Sequence, residues 1–96
     1  MSNHEIIATL RNEKPYLRQH FGVEEIGIFG SFARGEEKAD SDIDIIVSLS
    51  LPDYSNFAGL LIYLEKRLNH KIDLVRKGGH LSQKFMRIAL KDAVYA

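Results

Sequence analysis

"GSFARGEEKADSDIDIIV", residues 30–47, opens on a glycine–serine pair and runs into a branched apolar strand with aspartates at 40, 42 and 44. Asp42 and Asp44 alternate with Ile43 and Ile45, so in an extended strand the carboxylates share one face and the isoleucines the other. At a rise of ~3.3 Å per residue, the two α-carbons lie roughly 6–7 Å apart. Buried strands exclude carboxylates, and two on one face repel each other, so the pattern requires a cation between them.

Other readings of the same letters fail on specific residues. Gly30–Gly35 mimics the opening of a P-loop, but Glu36 and Glu37 stand where lysine and Ser/Thr are needed. Asp40, Asp42 and Asp44 match the first ligands of an EF-hand, which then needs glycine at Ile45 and glutamate at Leu51. A solvated acidic loop, KADSD, accounts for Asp40 and tolerably for Asp42, but not for Asp44. Nor does it account for Asp73, set in KIDLV between Ile72 and Leu74. If the two strands are neighbours, Asp42, Asp44 and Asp73 form an oxygen-rich triad suited to Mg²⁺ or Mn²⁺. Two such ions, about 3.5–4 Å apart, would clamp a phosphoryl centre for in-line displacement. Gly30 would let the backbone approach a ligand, and Ser31 offers a hydroxyl and an amide at the start of a helical turn, a natural anion site. Arg34 can pair with a phosphate or with a nearby acid.

Composition bounds the problem. The 96 residues predict one domain over 1–96, with a single core. Thirteen basic residues balance thirteen acidic ones, which argues against a global field for nucleic acid or an anionic membrane. The absence of cysteine excludes disulfides and thiolate metal sites. MSNHEIIATLRNEK carries charges where a signal peptide needs its apolar region, and no apolar run has membrane-spanning length, so a cytoplasmic protein is expected.

Along the chain, Ile6, Ile7, Leu10, Leu17 and Phe21 predict a helix over residues 4–20, capped by Ser2 or Asn3 and ended by Gly22. Pro15 should kink it or begin a second helix. EEIGIF (24–29), IDIIVSL (43–49) and KIDLVRK (71–77) read as strands, the second covered on both faces. LPDYSNF supplies a turn with Ser55 or Asn56 as cap. Phe57, Leu60, Leu61, Leu64 and Leu68 then define an amphipathic helix closed by Asn69 and His70. Gly78–Gly79 is a loop, Leu81, Phe85, Ile88 and Ala89 mark a last helix, and Ala93–Tyr95 an extended end. The expected class is α+β, or mixed α/β, with helices packed on a small mixed sheet.

Gly30–Ser31, ten residues, then Asp42–Ile43–Asp44 resembles the nucleotidyltransferase signature of the DNA polymerase β superfamily. The short chain, the GSFARGE…DSDID wording and the ending KDAVYA are most similar to the minimal nucleotidyltransferases, the MNT antitoxins paired with HEPN toxins. That resemblance implies a polymerase β palm-like fold with Asp42, Asp44 and Asp73 converging at one sheet edge. It implies that Ser31 contacts the triphosphate, that Asp42 and Asp44 hold Mg²⁺, and that Asp73 completes the site and serves as base. It also implies a HEPN toxin partner, on which a tyrosine receives AMP from ATP and the toxin's RNase activity is silenced. An acceptor-binding second domain is not expected in so short a chain. Two rival functions remain at this level: inhibition of the toxin by occlusion without catalysis, and nucleotide transfer to a small molecule.

Other residues carry weaker signals. His4, His20, His70 and His80 lack ligand spacing and read as solvated or capping. Lys84, Arg87 and Lys91 form a basic stripe, ordinarily a wet helix face but able to line a nucleotide or partner groove. Tyr54, Tyr63 or Phe57 can stack a base, with core packing the expected fate of Phe57. Tyr16 has no assigned role.

Overall fold

The computed structural model describes residues 1–50, 53–78 and 80–96. Its elements run α1 (Asn3–Phe21), β1 (Val23–Phe29), α2 (Gly30–Arg34), β2 (Ile43–Leu49), α3 (Tyr54–Leu68), β3 (Ile72–Arg76), α4 (Gln83–Asp92) and β4 (Val94–Tyr95). The expected α+β class is the observed one. Leu51, Pro52 and Gly79, placed by the sequence in a turn and a loop, lie outside the described residues.

Local chemistry explains the element boundaries. Ser2 caps α1 in a reciprocal box: the Glu5 amide donates to Ser2 Oγ at 3.2 Å, and the Ser2 amide to Glu5 Oε1 at 3.0 Å. Gly22, at φ 68°, closes the helix in the left-handed conformation. Pro15 neither ends α1 nor starts a new helix. It and Arg11, whose carbonyl loses its donor, are both exposed, so water can take the place of the missing bond. The cap of α3 is Asp53, not Ser55 or Asn56. Asp53 Oδ1 accepts from the Asn56 amide at 2.8 Å, while the Asn56 side chain donates to the Phe21 carbonyl at 2.6 Å and joins α3 to the end of α1.

The sheet order is β3-β2-β1-β4, with β1 antiparallel to β2 and β4, and β2 parallel to β3. The parallel pair follows from α3, the crossover helix that returns the chain to the same end of the sheet. Strand alternation divides the sheet into two faces. Ile26, Ile28, Ile43, Ile45, Val47 and Ile72 meet α1 and α3 through Ile6, Leu10, Leu17, Leu60, Leu64 and Leu68 in the main core. On the other face Phe29 and Ile46 pack against Ala89 of α4, with Val75, Ala93 and Tyr95 at the margin. Gly27 allows β4 onto this edge: a Cβ there would stand 2.7 Å from the Val94 carbonyl oxygen. Phe57 is not a core residue. It is half-buried and lines a cavity of about 480 Å³ with Tyr54, Leu74 and Arg76. Among the described residues, no helix is long and apolar enough to cross a membrane.

Candidate active site

The strand register carries the site. Phe29, Asp44 and Asp73 are successive partners across β1, β2 and β3, so they form one row on the α4 face at the end where β1 stops and β2 and β3 begin. Asp42 lies just before β2, two residues from Asp44, close enough for its charge to act on the Asp44 carboxyl. Asp44 is half-buried. Asp73 is exposed rather than enclosed, because β3 is an edge strand. Two contacts hold this end in register: the Ile43 amide donates to the Lys71 carbonyl at 3.0 Å, and His70 Nε2 meets the Ser41 carbonyl at 2.7 Å. The His70 ring stands edge-on to Phe32 at 5.6 Å. His70, one of four scattered histidines in the sequence, thus braces the loop that delivers Asp42 and Asp44.

Gly30 has a role within the fold itself. Its φ of 70° is left-handed, and a Cβ there would collide with the Asp44 carboxylate. The glycine therefore makes room for Asp44 and turns the chain into α2 in one step. The first turn of α2 follows Phe29 without a side-chain cap, unlike α1, α3 and α4, which are capped by Ser2, Asp53 and Ser82. Half-buried Ser31 sits in that uncapped turn.

Arg34, at the other end of α2, is held by two acids. Its Nε donates to Glu36 Oε1 at 2.7 Å and its Nη1 to Asp92 Oδ2 of α4 at 3.1 Å. These bonds stabilise the charged guanidinium, the Glu36 bond most. Nη2 has no partner among the described residues. Asp92 was not distinguishable in the sequence, since its partner lies 58 positions away.

The electrostatics of Asp44 reflect this company. Its pKa is raised from 3.8 to about 6, by burial first, then by the charges of Asp73 and Asp42 and a hydrogen-bonding interaction with Asp73, with Arg34 opposing the rise. Among the described residues, no three His, Cys, Asp or Glu side chains are grouped closely enough to hold a metal ion as they stand. The donor set nevertheless fits a hard divalent cation. It is all carboxylate, and its central member resists ionisation beside two acids, a conflict that a cation would remove.

Tyr63 is not at this site. It lies in the α1/α3 layer, where its hydroxyl donates to Glu13 and its ring stacks on Tyr16 at 4.8 Å. Burial and Glu13 hold that phenol at about 12, with the Glu13 hydrogen bond the main cause. Tyr54 is 87% exposed at the start of α3.

Known proteins agree with this architecture. A family model described as a nucleotidyltransferase domain matches residues 10–96. Over 92 residues the chain is 44% identical to a Thermococcus cleftensis protein named protein adenylyltransferase MntA, covering 95% of this chain and 92% of the relative. A solved structure described as a minimal nucleotidyltransferase superposes with a TM-score of 0.81 at 27% identity, over 98% of this chain and 95% of that one. A toxin–antitoxin crystal structure with AMP-PNP gives a TM-score of 0.69 at 25% identity, over 99% of this chain and 72% of that one. With a nucleotidyltransferase model matching residues 10–96 and a 44% identical relative over 95% of its length, the chain belongs to the nucleotidyltransferase domain family.

Proposed function

We propose that this protein is an antitoxin that transfers AMP from ATP to a tyrosine of a HEPN-family toxin, in the cytoplasm where ATP is available. One observation carries the reading: Asp44 and Asp73 stand side by side on β2 and β3, next to the uncapped Gly30–Ser31 turn. On this reading the turn is the phosphate-binding half and the aspartates the metal-binding half of a nucleotidyl-transfer site at one end of the sheet. The name of the T. cleftensis relative supports a protein acceptor, and the toxin–antitoxin structure with AMP-PNP supports ATP and a toxin.

The chain's own residues have distinct tasks. The amides of the α2 turn and Ser31 Oγ hold the triphosphate, and Arg34 adds charge through its remaining N–H groups. Asp42, Asp44 and Asp73 would hold Mg²⁺, or Mn²⁺, which supplies charge stabilisation to the phosphates when bound. Exposed Asp73 is reachable by an acceptor and takes the tyrosine proton as the phenol oxygen bonds to the α-phosphorus. The bond to pyrophosphate breaks on the opposite side.

Intact-mass spectrometry of the HEPN-family protein from the same genome, mixed with this chain and Mg-ATP, tests the reading. One or more AMP adducts are expected with wild type and none with Asp42→Asn or Asp44→Asn, while complex formation largely survives. A second reading is inhibition of the toxin by occlusion alone, with the site holding nucleotide but transferring nothing. An unmodified but inhibited partner, held equally well by the aspartate variants, would establish it.

A further inference from the structure

We infer that the exposed flank of α4 is the docking surface for the acceptor protein, and that it fits an amphipathic helix bearing acidic side chains around apolar ones. This rests on the reading that the acceptor is a protein. The reaction requires the acceptor to reach the Asp44–Asp73 row, so its binding surface must adjoin that row. Besides the short α2 turn, α4 is the helix that does. Ala89 packs on Phe29 and Ile46, the Phe85 ring meets Phe29 edge-on at 6.1 Å, and Asp92 is bonded to Arg34. Phe29 is itself the register partner of Asp44.

The surface of α4 has the chemistry of an interface rather than of a wet face. Ala89 is its one fully buried side chain, whereas α1 and α3 each bury three large aliphatic ones. Ile88 is 59% exposed and Phe85 37%, a turn apart on one flank. Beside them Lys84, Arg87 and Lys91 follow at i, i+3 and i+7, all exposed, with no ion pair among the described residues. The helix carries a single acid, Asp92, and Arg34 already occupies it. An apolar pair bordered by uncompensated cations is complementary to a helix with apolar residues flanked by Asp or Glu. An apolar pair at the centre of a basic flank fits a protein partner better than a nucleic-acid backbone, which would engage the cations alone.

The test uses the full chain, with the HEPN-family protein of the same genome as probe. Ile88→Asp and the double variant Arg87→Glu/Lys91→Glu should each weaken the complex at least about tenfold, as loss of one central anchor does. The positions are exposed, so melting temperature and Mg-ATP affinity should match wild type. Higher salt should weaken the wild-type complex more than the double variant. Unchanged partner affinity in both variants overturns the inference. If wild type transfers AMP and the variants do so at the same rate, docking lies elsewhere although the transfer reading stands. If wild type transfers nothing but the variants still lose the partner, the docking surface stands and the transfer reading falls. A dimer of this chain that Ile88→Asp dissolves, with partner binding intact, would assign the flank to a second copy. RNA binding lost on charge reversal, with partner binding intact, would assign it to nucleic acid.

Discussion

Under α1 and α3, Ile26, Ile28, Ile43, Ile45 and Val47 are no more than 1% exposed, whereas under α4 the same sheet buries Phe29 and Ile46 but leaves Asp44 half-buried and Asp73 exposed. Alternation along β1 and β2 produces both faces from one stretch of chain. The first face supplies stability: each buried Leu or Ile contributes roughly 1.5–3 kcal/mol. The second gives up burial so that carboxylates, a glycine turn and an exposed helix flank can meet a nucleotide and a partner. A domain this small depends on the closed face to offset the repulsion tolerated on the open one.

The comparison is most easily broken by truncating one residue on each side. Leu64→Ala, in the closed layer, should lower stability by about 2–5 kcal/mol, and Ile88→Ala, on the exposed flank of α4, by less than about 0.5 kcal/mol. Urea denaturation midpoints measure both, and equal losses would show that α4 is as much a part of the core as α3.

A smaller effect is expected at Gly30. Alanine there pays the left-handed backbone penalty of about 1–2 kcal/mol and pushes its Cβ into the Asp44 carboxylate. Thermal melts should show the modest destabilisation, and calorimetry a larger loss of Mg-ATP binding. Full ATP affinity with a displaced Asp44 would mean that Asp44 does not hold the metal.

The gentlest effect is a pH slope. Asp44 is easier to protonate in the folded protein, at about 6, than its ordinary value of 3.8. Between these values the folded state binds more protons, so rising pH lowers stability. The contribution is fully present below about 4 and gone above about 6. Metal-free Asp44→Asn should lack this slope and be as stable as wild type, or more so, at neutral pH. If it unfolds instead, Asp44 is a structural residue of the closed kind.

Much of this contrast was legible in the letters. The Leu60, Leu64 and Leu68 spacing gave the buried stripe of α3, and strand alternation put Asp44 on the face opposite Ile43 and Ile45. Where the reading slipped, it slipped on residues whose environment is supplied by another element. Phe57 has the right spacing for the core but faces a cavity beside β3, and Asp73 sits between apolar residues yet is exposed because β3 is an edge. Asn56 is a good capping residue that the structure uses instead to tie α3 to Phe21.

The sequence by itself determined which stretches form the main helices and strands, which side of its strand Asp44 occupies and which chemistry the glycine–serine and aspartate pattern permits. These are properties of one helix or one strand, set by backbone periodicity and local capping. Only the tertiary structure decided that Asp73 stands beside Asp44, that Gly30 is shaped around the Asp44 carboxylate, and that Asp92 holds Arg34. Register between β2 and β3 depends on how the α3 crossover packs, and the Arg34–Asp92 pair on where α4 lands against the sheet. Both are fixed by the packing of many side chains at once, which no local period encodes.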